Sequence, residues 1–252
     1  MSAGVGGASG GSGGTPSGTG GVLSGTGGTP SGVGGVPGTD AGVSPCVPGI
    51  SPASALITNF SPATWNATLA QWGTPGNLTG TIFSYGGGKT INGGPTTLLA
   101  PPSVDTMAAN PALSIRGDVV SADYAGIGMA FGQCVNTTAY SGLSFTLAGT
   151  TAGCDLFLQL RTQSQLPVSS NGACVANCFQ FPTINLAVGA GPNTVTFAAL
   201  AGSGLPATAD AMRAEIRGLQ FQFQSPAPVN GGAQPSCLGI NLTLDDVRFV
   251  AN

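Results

Sequence analysis

Leu219-Gln220-Phe221-Gln222-Phe223-Gln224 alternates apolar and polar side chains without a break. Successive side chains of a strand point to opposite faces, so this stretch predicts a strand with Leu219, Phe221 and Phe223 in the core and three glutamines outside. Other stretches with strand-forming patterns are 79–85, 113–120, 127–131, 143–147, 156–160, 183–188, 193–198 and 239–250. Turn-forming residues separate them, which predicts an all-β fold of two packed antiparallel sheets, in a sandwich or jelly roll.

A helical periodicity interrupts the strands at residues 207–217. Apolar and charged side chains alternate there with helical spacing: Ala209, Met212, Ala214 and Ile216 among Asp210, Arg213, Glu215 and Arg217. Glycine commonly follows the last helical residue, so Gly218 would end this helix. We expect one short helix beside the sheets.

The composition changes near residue 46. Residues 1–45 consist mostly of Gly, Ser, Thr, Pro and small apolar side chains. Such a segment cannot bury enough apolar surface to offset the entropy of ordering it, which predicts a flexible linker over 1–45. Residues 46–252 are numerous enough to form one β-sandwich domain with a substantial core.

The inventory of reactive side chains excludes most kinds of catalytic site. The chain has no His, and Glu215 is its only Glu. His-dependent triads, His-ligated metals and paired-glutamate sites therefore lack their parts. A pair of Asp could still hydrolyse a glycoside, and the candidates are Asp105, Asp118, Asp123 and Asp155, although turn and capping roles are their default. We predict no catalytic residue.

The cysteines predict an oxidising environment. Their number is even, no His accompanies them, and they stand at Cys46, Cys134, Cys154, Cys174, Cys178 and Cys237. Structural disulfides explain this set better than zinc does, so an extracellular or cell-surface location is expected. Six cysteines allow 15 pairings, and we predict Cys174–Cys178, Cys134–Cys154 and Cys46–Cys237 from sequence proximity and topology.

The first residues carry no signal peptide, because no basic segment is followed by an apolar one. Export nevertheless requires such a signal. We interpret this start as a trimmed form of a longer precursor, with a lipid anchor or a fused domain upstream.

The charge of the chain limits its partners. Its net charge is −3 with six basic residues, which argues against nucleic acids and against anionic membranes. No stretch of 18 apolar residues is present, so no membrane span is predicted. A neutral partner suits this composition better.

Two predicted strands carry unusual polar faces that could bind a glycan. The ligand-binding candidates on them are Phe157, Gln159, Arg161, Gln220 and Gln222. Amides and a guanidinium can hydrogen-bond to hydroxyls while an aromatic ring stacks on a sugar. An ordinary solvated face is the alternative, and the two strands need not be neighbours.

Three further aromatic residues lie in or beside Gly-rich turns, where a ring is easily left exposed for stacking. These additional ligand-binding candidates are Trp72, Tyr85 and Tyr124. Packing of the rings against the core is the alternative for each.

The alternation of the last strand slips at Asp245-Asp246. Ile240, Leu242 and Leu244 share one register, whereas Val247 and Phe249 have the opposite one. A β-bulge at the acidic pair would restore one facing for all five. Two adjacent carboxylates can supply oxygen ligands, so we predict a structural calcium ion at Asp245 and Asp246. The alternative is a solvated Asp245 and a turn-capping Asp246.

The order of these segments resembles the galactose-binding-like jelly rolls, which include carbohydrate-binding modules of bacterial secreted glycanases. The resemblance covers about 56–250, and the segments that carry it are 56–60, 82–86, 124–131, 140–145, 218–223 and 242–249. The Gly-rich linker is similar to those of myxobacterial surface proteins.

The resemblance implies a jelly-roll fold, sugar binding on a concave sheet face or on the loops at one end, and a calcium ligand at Asp245 or Asp246. One departure concerns the first segment. Thr58-Asn59-Phe60-Ser61 stands where relatives carry an Asp-Asp-Phe-Glu type sequence, which weakens the expectation of calcium.

Together these features predict a non-catalytic module that is exported, tethered and binds a neutral polysaccharide or glycan. The alternative is a structural or adhesive surface protein that binds protein or its own copies. An Asp-dependent glycoside hydrolase or lyase is the lowest alternative.

Overall fold

The computed structural model describes residues 46, 49–73, 77–91, 94–189, 191–200, 209–228 and 231–252. The predicted linker over 1–45 lies outside the described residues. The strands are β1 Leu56–Thr58, β2 Trp65–Asn66, β3 Gln71–Gly73, β4 Thr79–Gly86, β5 Leu98–Leu99, β6 Ser103–Val104, β7 Leu113–Val119, β8 Tyr124–Val135, β9 Tyr140–Thr150, β10 Asp155–Thr162, β11 Thr183–Leu186, β12 Pro192–Thr196, β13 Ile216–Gln224 and β14 Cys237–Ala251. A short helix, α1, spans Ala209–Arg213, and 3₁₀ turns lie at Gln163–Gln165, Val168–Ser170 and Phe197–Ala199.

The strands form two antiparallel sheets. Sheet 1 has the order β11-β10-β13-β8-β4-β3-β2. Sheet 2 has the order β12-β9-β14-β7-β5, with β1 beside β14 and β6 beside β7. The predicted all-β sandwich is confirmed.

The core lies between the two sheets and contains the apolar residue of each alternating pair. Leu219, Phe221 and Phe223 of β13 have no exposed side-chain surface. Phe145 of sheet 2 meets Phe221 of sheet 1 edge to face, with ring centroids 5.2 Å apart. Burying one such side chain stabilises the fold by about 1.5–3 kcal/mol, so period-two alternation on both sheets is what holds the layers together.

The predicted helix is wrong in its extent. Helix α1 ends at Arg213, and β13 already begins at Ile216. Ile216 is fully buried and pairs with Val135 of β8 and Thr162 of β10. Core burial and two strand partners outweigh the local helical periodicity. Gly218 therefore lies within the strand, where a Cβ would be 2.3 Å from the carbonyl oxygen of Met129.

Three disulfides link Cys46 to Cys134, Cys154 to Cys237, and Cys174 to Cys178. The predicted Cys174–Cys178 bond is confirmed, whereas the predicted Cys134–Cys154 and Cys46–Cys237 bonds are wrong. The topology explains both errors. Ile50 donates to the carbonyl oxygen of Cys134, which brings the segment after Cys46 to the end of β8.

The predicted bulge in β14 is confirmed. The register of β14 against β9 shifts between Asp245 and Arg248, and Asp246 has a φ of 52°. Leu244 and Val247 are both fully buried as a result. One extra residue at the acidic pair therefore keeps both halves of the strand facing the core.

None of the helices in the described part of the chain is long and apolar enough to cross a membrane.

Candidate functional site

The outer face of sheet 1 gathers most of the predicted ligand-binding residues. Strands β10 and β13 are direct neighbours, and Phe157 lies opposite Gln222 while Gln159 lies opposite Gln220. The register places Tyr124 opposite Gln224, and Tyr85 opposite Gly126, which itself lies opposite Gln222, so both tyrosines share this face. We call this surface the platform; its residues are Phe83, Tyr85, Tyr124, Phe157, Gln159, Arg161, Gln220 and Gln222.

Cross-strand rows define the platform. One row runs from Asn185 through Phe157, Gln222 and Gly126 to Tyr85. The next runs from Thr183 through Gln159, Gln220 and Gly128 to Phe83. From β10 to β4 the backbone spans three strand spacings, roughly 14 Å. This width suits an oligosaccharide rather than one small molecule.

Two glycines of β8 leave room for aromatic rings from the neighbouring strand. A Cβ on Gly126 would be 2.5 Å from the Tyr85 ring, and a Cβ on Gly128 would be 2.1 Å from the Phe83 ring. Both rings therefore cover the backbone of the neighbouring strand. The result is a half-buried group of aromatic rings, whose apolar surfaces can stack on a sugar ring.

The rings form a continuous series along one edge of the platform. The Phe83 and Tyr85 centroids are 6.0 Å apart, and those of Tyr85 and Tyr124 are 6.4 Å apart. Phe157 stands across the platform on β10. Four of the six aromatic side chains that are not buried lie on this face; the others, Tyr140 and Phe179, contact Phe249 and Phe181.

Amide groups alternate with the rings. The Tyr85 hydroxyl lies 3.5 Å from Oε1 of Gln222, the outer limit of a hydrogen bond. Burial raises the pKa of Tyr85 well above its usual value, so this hydroxyl stays protonated and can donate. Gln222 is half-buried, whereas Gln220 is largely covered by its neighbours at 8% exposure.

Arg161 closes one end of the platform. Its guanidinium carbon lies 5.1 Å from the centroid of Phe83, a cation–π contact. Burial and, to a lesser extent, the nearby Arg217 lower the pKa of Arg161 to about 10, while Tyr85 partly opposes the change.

A corner pocket of about 430 Å³ continues the platform beyond Arg161. Ala130 of β8 faces Thr81 of β4, which faces Gln71 of β3, which faces Asn66 of β2. Thr81, Gln71 and Asn66 are exposed and line this pocket. Their hydroxyl and amide groups extend the hydrogen-bonding surface to the edge of the sheet.

Trp72 is not an exposed stacking residue, contrary to the prediction. Its side chain is 1% exposed and faces the core, where it meets Phe131 edge to face at 5.4 Å. Gly80 makes room for it, because a Cβ there would be 2.7 Å from the indole ring. Burial between the sheets outweighs the Gly-rich turn beside it.

Asp245 and Asp246 lie on sheet 2, away from the platform. Oδ2 of Asp245 accepts a hydrogen bond from Asn110 at 3.0 Å, and Oδ1 accepts one from the Asp246 backbone at 2.6 Å. Asp246 pairs with Arg248. Among the described residues, no three His, Cys, Asp or Glu side chains cluster as metal ligands would. The hydrogen bonds and the ion pair occupy carboxylate oxygens that calcium would need as ligands. The acidic pair therefore fits a hydrogen-bonded bulge better. The calcium site stays a prediction.

The four aspartates that were candidates for glycoside hydrolysis serve mainly the backbone. Asp105 accepts from the backbone of Met107, Asp118 from Gly239 and Asp123 from Lys89. Asp155 begins β10 opposite Gln224. Turn capping accounts for Asp105, whereas Asp118 and Asp123 each bind the backbone of a segment distant in the chain.

Sequence reasoning missed Phe83 and the corner-pocket residues. Thr81, Phe83 and Tyr85 alternate with Ile82, so the period of β4 contained the signal for Phe83. Gln71 and Asn66 lie on strands of two or three residues, which are too short for a readable period.

Comparison with known proteins gives a fold-level likeness only. No family model and no curated protein matches the chain. A family 11 carbohydrate-binding module of a cellulosomal cellulase of Clostridium thermocellum is similar at 9% identity with a TM-score of 0.46, covering 79% of this chain and 95% of that one. A low-affinity xylan-binding module, CBM86, of Roseburia intestinalis matches at 11% identity and a TM-score of 0.32, over 69% and 97% of the two chains. The Endo-D glycoside hydrolase domain of Streptococcus pneumoniae matches at 11% identity and a TM-score of 0.41, over 68% and 22%.

Proposed function

We propose that this protein is a non-catalytic module that binds a polysaccharide on the platform. The observation that carries the proposal is the pair of neighbouring rings, Phe83 and Tyr85, that reach over Gly128 and Gly126 on the outer face of sheet 1. Both rings are only half-buried, so part of their apolar surface is open to a ligand. Sugar rings have an apolar face of matching size, and their hydroxyls lie at the rim of that face.

The amides supply the polar half of the interaction. Gln159, Gln222 and Asn185 surround Phe157 on the neighbouring positions of three strands. Each amide can donate and accept, which matches hydroxyl groups that do the same. Uncharged groups of this kind suit a ligand that is neutral over most of its length.

The outer face of sheet 2 offers a contrast within the same fold. Ser144, Thr146 and Thr243 are among its half-buried positions on β9 and β14. These short side chains provide no broad apolar surface. The asymmetry between two otherwise similar sheet faces favours sheet 1 as the binding surface.

The disulfides support a location outside the reducing cytoplasm. Each of the six cysteines is bonded to another. Disulfides persist in secreted and surface proteins. We therefore propose that the module acts extracellularly or at the cell surface, held by residues 1–45 as a tether.

Retention on insoluble polysaccharides tests the proposal. We expect wild-type protein to be retained on at least one member of a panel of glucans, xylans, mannans and galactans. Phe157→Ala and Tyr124→Ala should each weaken retention. Phe179→Ala is the matched control, because Phe179 is 60% exposed but lies in the loop between β10 and β11, outside the platform.

Two results would contradict the proposal. Wild-type protein that is retained on no polysaccharide would favour the adhesive alternative. Release of reducing ends from a bound polysaccharide would show that the module is catalytic.

A further inference from the structure

Two arginines lie together at one end of the platform. Arg161 of β10 is opposite Gly218 of β13, the residue next to Arg217. The pairing of β13 shifts between Ile216 and Gly218, and Ile216 is fully buried. This bulge sets Arg217 beside Arg161 instead of in the core. The positive charge of Arg217 is close enough to lower the pKa of Arg161.

No carboxylate in the described part of the chain neutralises this pair. Nε of Arg161 is enclosed and has no hydrogen-bond partner. Its Nη atoms donate to no described residue and are not enclosed. Arg217 makes a 3.6 Å contact to Sγ of Cys134. Glu215, two residues away, instead accepts a hydrogen bond from Ser164.

Two half-buried cations without a counter-ion are energetically unfavourable. Burial is the first cause that lowers the pKa of Arg161, and it also lowers the pKa of Arg217. A buried charge is normally paired, because leaving it unpaired forfeits hydration without compensation. The unpaired arginines therefore form a site that is complete only with an anion.

We propose that Arg161 and Arg217 form a subsite for one anionic substituent, a carboxylate or a sulfate ester, on the polysaccharide that the platform binds. The inference rests on the proposed function and adds the chemical class of the ligand. A guanidinium presents paired donors that match both groups. Because Arg161 lies over Phe83, the anion would be beside a sugar stacked on that ring.

The rest of the chain limits how many anions the ligand carries. The net charge is −3, which repels a dense polyanion. The remaining platform residues are aromatic rings and amides. The fitting ligand is therefore a largely neutral polysaccharide with isolated acidic groups.

Paired polysaccharides test the inference with the whole protein. Glucuronoxylan is compared with its carboxyl-reduced form, and a sulfated galactan with its desulfated form, by affinity electrophoresis. We expect at least one charged form to bind tenfold or more tightly than its neutral counterpart. The pair that shows the difference identifies carboxylate or sulfate, and inorganic sulfate should compete.

Variants locate the effect. Arg161→Gln and Arg217→Gln should each reduce the preference for the charged form, whereas Arg116→Gln on sheet 2 should leave it unchanged. Thermal melting of each variant shows that it is folded, and two independent arginines keep the test valid if one variant unfolds. Equal binding of charged and neutral forms would overturn the subsite and leave the proposed function standing. Failure of wild-type protein to bind any polysaccharide would overturn both.

Discussion

The Phe83 ring lies directly over the α-carbon of Gly128, so close that a Cβ on Gly128 would be 2.1 Å from Cζ of Phe83. The two residues face each other on β4 and β8. The absent side chain of one residue thus determines the orientation of the other. Arg161, which contacts Phe83, depends on the same arrangement.

Gly128→Ala should weaken polysaccharide binding by about three- to tenfold. The three atoms nearest to the new methyl group all belong to the Phe83 ring, which can swing away, so the fold should tolerate the change. A lost ring contact corresponds to roughly 0.5–1.5 kcal/mol. Isothermal titration with a polysaccharide that retains the wild type measures the effect. Gly189→Ala, where no atom lies within 4 Å, is the control, and unchanged affinity in Gly128→Ala would contradict the platform.

Phe221→Ala should lower the free energy of unfolding by about 3–5 kcal/mol, because it leaves a cavity between the sheets. Phe221 is fully buried and contacts Phe145 across the sandwich. Guanidinium denaturation measures the change. Gln222→Ala, one position along the same strand but on the outer face, should change stability by less than about 0.5 kcal/mol. Equal effects would contradict the assigned facing of β13.

Removal of the Cys154–Cys237 disulfide should destabilise the protein more than removal of Cys174–Cys178. The bonds close segments of 83 and 4 residues. Loop-closure entropy then gives about 4.5 and 2 kcal/mol, respectively. Paired Cys→Ser variants and denaturation curves measure both. Peptide mapping under non-reducing conditions checks the connectivity, and a Cys46–Cys237 peptide would refute it.

Glu215→Gln should reduce the pH dependence of stability in the weakly acidic range. Burial raises the pKa of Glu215, although the hydrogen bond from Ser164 opposes this. The folded state holds the proton more strongly than the unfolded state, so stability falls as pH rises from the unfolded pKa through the folded pKa. Melting temperatures between pH 4 and 7 should fall less for the variant. The prediction would be contradicted if, over the same interval, the melting temperature of the wild type rose relative to that of Glu215→Gln.

A chelator should leave the melting temperature unchanged if Asn110 and Arg248 alone satisfy the Asp245-Asp246 bulge. A calcium ion bound only to the folded state would instead raise the melting temperature in its presence. Differential scanning fluorimetry with EDTA and with added calcium separates these cases. A calcium-dependent increase that Asp245→Asn abolishes would establish the predicted metal site.

Local patterns were sufficient for the longer strands, but they failed for the shortest ones and where a neighbouring strand decided the outcome. The alternation in β13 predicted both its core and its outer residues. Ile216 has a helical context in sequence, yet its two strand partners place it in β13. Trp72 lies beside glycines in the sequence, yet its ring is buried in the core, where Gly80 leaves room for it.

The candidate site was predictable by residue type and only partly by place. The sequence predicted rings and amides on the outer positions of β10 and β13. Whether those strands touched depended on sheet order. Phe83 was missed, although the period of β4 marked it as an outer residue.

By itself, the sequence determined the all-β class, the facing of most strand residues, the bulge at Asp245-Asp246 and the need for disulfides, because these follow from period-two alternation and from composition. Only the tertiary structure decided the strand order, two of the three disulfide pairings and the burial of Trp72. It also brought Arg161 beside Arg217 and Phe83 over Gly128. Those relationships join residues far apart in the chain, and local side-chain periodicity carries no information about which strands become neighbours.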